Sequence, residues 1–215
     1  MRIAGTCGRV GRDPAEVAIV AVTKSVDVAL IRAGLAAGID MLGENRVQEA
    51  EGKATALPDA HWHLIGHLQS NKARRALQLF EVIHSLDSIE LARRLDDLAV
   101  VSGRAPYPVY LQVNVDRDPA KEGMLPEQLE AALPELARLA ALELRGLMTV
   151  GRLVSTPDQA RPTFVALRTL SERLGAIEPR LGPGLSMGMS DDFEVAVEEG
   201  ATVVRIGRAL FGERP

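Results

Sequence analysis

The sequence holds one cysteine, Cys7, in 215 residues. A single thiol excludes an internal disulfide framework and fits a reducing compartment. Aromatic residues are scarce, at 3 %. Any chemistry that needs a tyrosine has only Tyr107 and Tyr110 to draw on. No apolar run approaches the roughly 20 residues of a membrane span. The opening stretch, MRIAGTCGRVGRDP, lacks the apolar centre of a signal peptide. Neither sign of charge prevails. Lys plus Arg is 25 and Asp plus Glu is 29, so the net charge of -4 gives no general attraction to nucleic acid or anionic membranes. These absences describe a soluble cytoplasmic protein, expected to be monomeric.

What is present is an apolar fraction of 47 %, ample for a core. Short apolar runs alternate with helical stretches along the whole chain. Strands are expected at 19–24, 41–43, 61–66, 82–87, 108–115, 144–150, 184–189 and 203–207. The helix over 27–38 has Asp27 as its N-cap and Gly38 as its stop, and another starts at Ser88. The stretch 125–142 reads as a helix broken or kinked near Pro134. Eight strand-then-helix units of about 27 residues each predict a parallel sheet closed into a single (β/α)8 TIM barrel over 1–215. Residues 1–16 form a short Gly- and Arg-rich lead ending in the turn signal Asp13-Pro14. An open doubly wound sheet is the alternative. It lacks its fingerprint, since Gly5, Gly8 and Gly11 precede the first strand instead of following it.

In such a barrel the working groups sit at the C-terminal ends of the strands. The first strand, IVAVTK, ends in Lys24. Its stem would lie along apolar surface, and an amine drawn out of water there attacks carbonyls. The plainer reading is a lysine reaching solvent from a strand end. Asn45 stands at the tip of the second strand and Met148 at that of the sixth. Strand seven ends in SMGMS and strand eight in RIGR, carrying Ser186, Gly188 and Ser190, then Gly207 and Arg208. The loops after these two strands commonly hold phosphate, through glycines that let backbone N–H groups approach an anion. Equally, Asp191 and Glu194 fit an ordinary helix-capping pair. Alternation in VVRIG puts Val203, Arg205 and Gly207 on one face. If that face is the interior, a permanent charge sits at the barrel mouth and needs partners. His61, His63 and His67 suggest a rival metal site, but two of them fall early in their strand, away from the mouth, and no supporting carboxylate set is evident.

The segments AVTK, LGENRVQE, WHLIGHLQSNK, HSLDS, LQVNV with the later K-E-G, RGLMTV, LSMGMSDDFE and VRIGRALFG together resemble the pyridoxal phosphate homeostasis proteins. More distantly the chain resembles the barrel domain of alanine racemase, the type III fold of pyridoxal phosphate (PLP) proteins. The resemblance implies a barrel like the alanine racemase N-terminal domain, with PLP as cofactor and Lys24 joined to it in a Schiff base. It implies that Ser186, Gly207 and Arg208 hold the phosphate, that Arg205 faces the pyridine nitrogen, and that Asn45 and Met148 lie at the cofactor. It further implies PLP-dependent apoenzymes as recipients. Two departures stand out. The helix that usually precedes strand one is cut to the Gly-rich lead, so that side of the barrel is expected to be poorly covered. Where the family often has threonine after the last glycine, this chain has Arg208.

Arginine at the pyridine nitrogen only donates hydrogen bonds, so it cannot supply the proton that makes the ring a strong electron sink. A racemase of the related type also needs a tyrosine as second base, whereas Tyr107 and Tyr110 fall at the closed end of strand five. The expectation is therefore PLP binding without significant turnover. A small amino-acid racemase is the alternative, and a cofactor-free aldolase using Lys24 a third reading.

Overall fold

The computed structural model describes residues 2–152 and 154–212. Eight strands, β1 Ala18–Val22, β2 Met41–Glu44, β3 His61–Leu64, β4 Val82–Leu86, β5 Tyr107–Gln112, β6 Leu142–Met148, β7 Gly184–Ser186 and β8 Val203–Ile206, pair in chain order into a closed barrel. All pairs are parallel, and β1 closes on β8 with Val20 opposite Arg205. The helices are α1 Arg2–Val10, α2 Val28–Ala36, α3 Val47–Ala54, α4 Ala73–Leu79, α5 Ile89–Ser102, α6 Pro126–Leu136, α7 Arg161–Gly175, α8 Phe193–Glu198 and α9 Arg208–Phe211.

Alternation along the strands separates two apolar sets. Leu42, Leu64, Ile83, Leu111, Leu147 and Val204 point outward into the layer under the helices. Val20, Val82, Tyr110, Met148 and Val203 point inward and fill the barrel. Local signals set the helix starts. Asp27 Oδ1 accepts from Ala29 N at 2.7 Å and Ser88 Oγ from Leu91 N at 3.3 Å, each as an N-cap.

Three expectations need correction. The lead contains a helix. Ile3, Cys7 and Val10 recur at helical spacing, and Thr6 and Cys7 are buried against α8. Gly5 and Gly8 lie on the outer side, where an added Cβ would meet nothing within 4 Å. They weaken the helix without spoiling its packed face. The Arg2 guanidinium lies 4.6 Å from the Phe193 ring centroid, and Arg12 Nη1 donates to Val197 O at 2.7 Å, so this side of the barrel is covered. Second, α6 stops at Leu136, two residues past Pro134, and Leu142 already belongs to β6. Proline lacks the N–H that would bond four residues back, which leaves the last turn thinly supported. Third, β1, β3, β5, β6 and β7 end two or three residues earlier than expected, which leaves Lys24 in the turn beyond β1.

Candidate functional site

The polar residues at the strand tips gather round a cavity of about 340 Å³ at the C-terminal mouth. Val22, Ile65, Val150 and Met189 give it apolar walls; Lys24, Asn45, Ser190, Asp191, Arg205, Gly207 and Arg208 give it polar ones. An adjoining cleft of about 620 Å³ shares Asn45 and is lined by Arg46, Gln48, His67, Gln69 and Lys72. The smaller cavity is the candidate, because it alone of the two joins a lysine at a strand tip to a buried arginine.

Lys24 follows Val20 and Val22 on the inward face of β1, and no described residue bonds its amine. The turn that carries it is clamped from the outward face. Glu44 Oε1 accepts from Thr23 Oγ1 at 2.7 Å and from Lys53 Nζ at 2.6 Å, and Lys53 Nζ also donates to Thr23 O at 2.6 Å. Burial raises the Glu44 pKa, and the bonds from Lys53 and Thr23 oppose that rise. Ser25, next to Lys24, has φ of 60°, a conformation sparsely used by non-glycine residues.

Arg205 forms the cavity floor. Only 4 % of it is exposed. Its Nη1 donates to Ser186 O and Ser186 Oγ, both at 2.8 Å, and Nη2 donates to Thr149 O at 2.7 Å. Burial pulls its pKa down to about 10, and the Asp192 carboxylate works the other way. Asp192 is itself raised by burial, against a 2.6 Å bond from Met189 N.

Ser190 Oγ accepts from the N–H groups of Gly207 and Ala209, each at 3.3 Å. Two amides thus converge on one oxygen at the cavity edge, the arrangement that receives an anion. Gly188 lets the loop turn there. Its φ is +94°, and a Cβ would stand 2.5 Å from Ala196 Cβ. Arg208 pairs with Asp191.

Lys24, Asn45, Arg205, Gly207 and Arg208 therefore meet at one cavity, while Ser186 and Met148 do not. Both are fully buried below the floor, Ser186 bonded to Arg205 and Met148 packed among Val20, Val82, Tyr110 and Val203. Strand periodicity explains this placement. Ser186 is the last residue of β7 and points into the barrel, and the loop beyond it delivers Ser190 to the amides instead. The Asp191–Glu194 capping pair is absent too; Asp192 takes up the Met189 amide. Tyr110 sits midway along β5 inside the barrel, not at its closed end.

The three histidines diverge. His61 pairs with Glu81 at 2.9 Å on the surface, and His67 pairs with Asp87 at 2.9 Å at the rim, with Glu122 nearby. His63 Nδ1 lies 3.0 Å from His84 Nε2, and His84 Nδ1 lies 2.9 Å from Ser186 Oγ. The His84 ring stacks on Tyr110 with centroids 4.7 Å apart. Burial pushes His63 down to about 4 and His84 well below the usual range, and His63 and Arg205 press His84 further. This interior column was invisible in the sequence, where its bonded members lie up to 102 residues apart.

A parallel barrel with a lysine at the tip of its first strand and an arginine from its last beneath the same cavity defines the class as a racemase-type barrel. Accordingly, residues 9–215 match the family described as "Alanine racemase, N-terminal domain". Alanine racemase of Clostridium difficile 630 superposes with a TM-score of 0.73 at 16 % identity, covering all of this chain and 55 % of that one, a likeness of fold alone. PipY of Synechococcus elongatus, solved with PLP bound, superposes with a TM-score of 0.86 at 44 % identity, covering 98 % of this chain and 100 % of that one. A Pseudomonas aeruginosa relative named pyridoxal phosphate homeostasis protein is 43 % identical over 216 aligned positions, covering 99 % of this chain and 91 % of that protein. The chain belongs to the pyridoxal phosphate homeostasis protein family.

The neutral histidine pair sets an acid limit. Unfolded, each histidine takes up a proton near pH 6.5. Folded, His63 does so only near 4, so the unfolded chain binds more protons between these values and stability falls as pH falls through that window. His63 alone should cost about 2 kcal/mol by pH 5. His84 acts in the same direction, whereas the exposed His61–Glu81 pair acts in the opposite one and is small. Urea midpoints at pH 7.5 and 5 test this; equal midpoints would refute it.

Proposed function

We propose that this protein binds pyridoxal 5'-phosphate in the cavity over Arg205 and holds it for delivery to PLP-dependent apoenzymes, without a reaction of its own. The observation that carries the reading is the pairing of Lys24 and Arg205 at one small cavity, the amine bonded to no described residue. The cofactor asks a site for an amine, a partner for its ring nitrogen and a cradle for its phosphate. Lys24 fits the first need and Arg205 the second. Ser190, with the N–H groups of Gly207 and Ala209, fits the third. Val22, Ile65, Val150 and Met189 supply apolar contact for a flat ring, and Asn45 borders the same space. About 340 Å³ lies at the small end of ligand pockets. Names and a PLP-bound structure among the relatives support the same assignment.

When bound, the cofactor supplies an electron sink. Arg205 keeps that sink weak. It stays charged, so it can only donate to a ring nitrogen and never protonate it. Tyrosine is also missing from the described cavity lining. Tyr107 donates to Phe80 O at 2.8 Å behind the strands, and Tyr110 is stacked on His84 a layer below. Both arrangements favour storage over racemisation. Among the described residues no helix is long and apolar enough to cross a membrane.

Lys24→Ala should lose the visible absorbance of the bound cofactor and the adduct that borohydride makes permanent. An adduct that survives through Lys72 or Lys121 would show the lysine to be misassigned.

Ser190→Ala should weaken PLP binding by about ten- to a hundredfold, the loss of a bond to a charged oxygen, roughly 1.5–3 kcal/mol. Pyridoxal, which has no phosphate, should be nearly indifferent to the change. Equal losses for both ligands would move the phosphate elsewhere.

L-Alanine kept with the PLP-loaded protein in deuterium oxide should retain its α-proton. Exchange at about 1 per second or faster would mark an enzyme.

A further inference from the structure

A barrel of this kind fills its interior with branched aliphatic side chains, and Val20, Val82 and Val203 do so here. His63 and His84 break the pattern. His84 is 0 % exposed and touches nothing at the cavity, yet an imidazole in this layer is costly unless its nitrogens are bonded. Both are bonded, and the chain of bonds runs in one direction. Arginine can only donate, so Ser186 Oγ accepts from Arg205 Nη1. The Ser186 proton is left for His84 Nδ1, 2.9 Å away. That puts the His84 proton on Nε2, facing His63 Nδ1 at 3.0 Å.

We propose that His84 is a positioning residue for Arg205: by taking the Ser186 proton at Nδ1, it turns the serine oxygen to the guanidinium and fixes the plane of the cavity floor. The proposal rests on the reading of that cavity as a PLP site with Arg205 at the ring nitrogen. Three bonds hold the guanidinium, and the one to Ser186 Oγ depends on a freely rotating hydroxyl. Only an acceptor on the far side of that hydroxyl stops its rotation. The aromatic face of Tyr110 in turn holds the His84 ring in plane. A neutral imidazole suits the task, because a cation here would sit close beneath a second cation.

His84→Phe keeps a flat ring against Tyr110 and removes the acceptor. With PLP bound, its absorbance and fluorescence maxima should differ from the wild type, since the partner of the ring nitrogen sets the ring's electronics. Affinity for inorganic phosphate should stay within about threefold, since the cradle is untouched. His84→Asn places an amide oxygen near the position of Nδ1 and should restore the wild-type spectrum. Ser186→Ala removes the link itself and should reproduce the His84→Phe spectrum, with the double variant no different from either single one. In the ligand-free protein, 15N NMR should find His84 protonated at Nε2 and bare at Nδ1. The Arg205 guanidinium resonances should be sharp in the wild type and broadened in His84→Phe or Ser186→Ala. A proton on Nδ1, or variants with wild-type spectra and guanidinium signals, would overturn the proposal. Should the wild type fail to bind PLP at all, the site reading falls, and the ligand-free NMR alone still decides the role of His84.

Discussion

The burial of Arg205 is the constraint on which the site depends. A guanidinium inside a barrel loses its hydration, and only fixed acceptors make that tolerable. They come from the two preceding strands, Thr149 O beyond β6 and Ser186 at the end of β7, with the Asp192 carboxylate adding its field. Each requirement shapes its surroundings. The strand β7 stops at Ser186, where its oxygens serve the arginine, and Arg205 N bonds Gly188 O at 3.0 Å, so the loop beyond stays against β8. That same loop carries Ser190 to the amides of Gly207 and Ala209. The charge below and the pairing of Ser190 with two amides above are therefore consequences of one short strand.

Lys24 is held by a second, separate device on the opposite face of β1. Thr23, Glu44 and Lys53 close a buried hydrogen-bonded triangle under the helices, and its tie to Thr23 steadies the turn. Glu44 Oε2 has no hydrogen-bond partner among the described residues, so the triangle is not fully satisfied. Alternation makes this division possible. Thr23 faces outward to its clamp, and Lys24, one residue on, faces inward to the cavity, leaving the amine unbonded by the groups that fix its backbone.

The helix α1 contributes at a distance. It presses on α8 through Cys7 and Thr6, and it is fastened at the rim by Arg2 to Glu194 and Arg9 to Glu198, at 3.2 and 3.0 Å. The exposed ion pairs add little individually; the buried face and the Arg12 bond to Val197 O carry more. Since α8 follows directly on the loop of Ser190, a firm α8 bears on that loop.

By itself the sequence determined the barrel, because eight repeats of strand then helix leave a parallel sheet little choice but closure at this length. It also determined that Val203, Arg205 and Gly207 share one face of the last strand, because alternation is fixed along a strand, while the assembled barrel made that face the interior. The family resemblance named the cofactor that Lys24 and Arg205 would serve. Tertiary structure decided what parity cannot reach. Ser186 and Ser190 differ by four residues, and only the end of β7 and the turn at Gly188 decide which of them meets the amides of Gly207 and Ala209. A glycine-rich lead reads as loop until α8 offers its two buried residues a partner. Ser186 and Arg205 come from the adjacent strands β7 and β8, His84 comes from β4 far away in the chain, and the closed barrel makes His84 their neighbour. Hydrogen bonds between such residues depend on register across the sheet, which is a property of the assembled strands and is written in none of them singly.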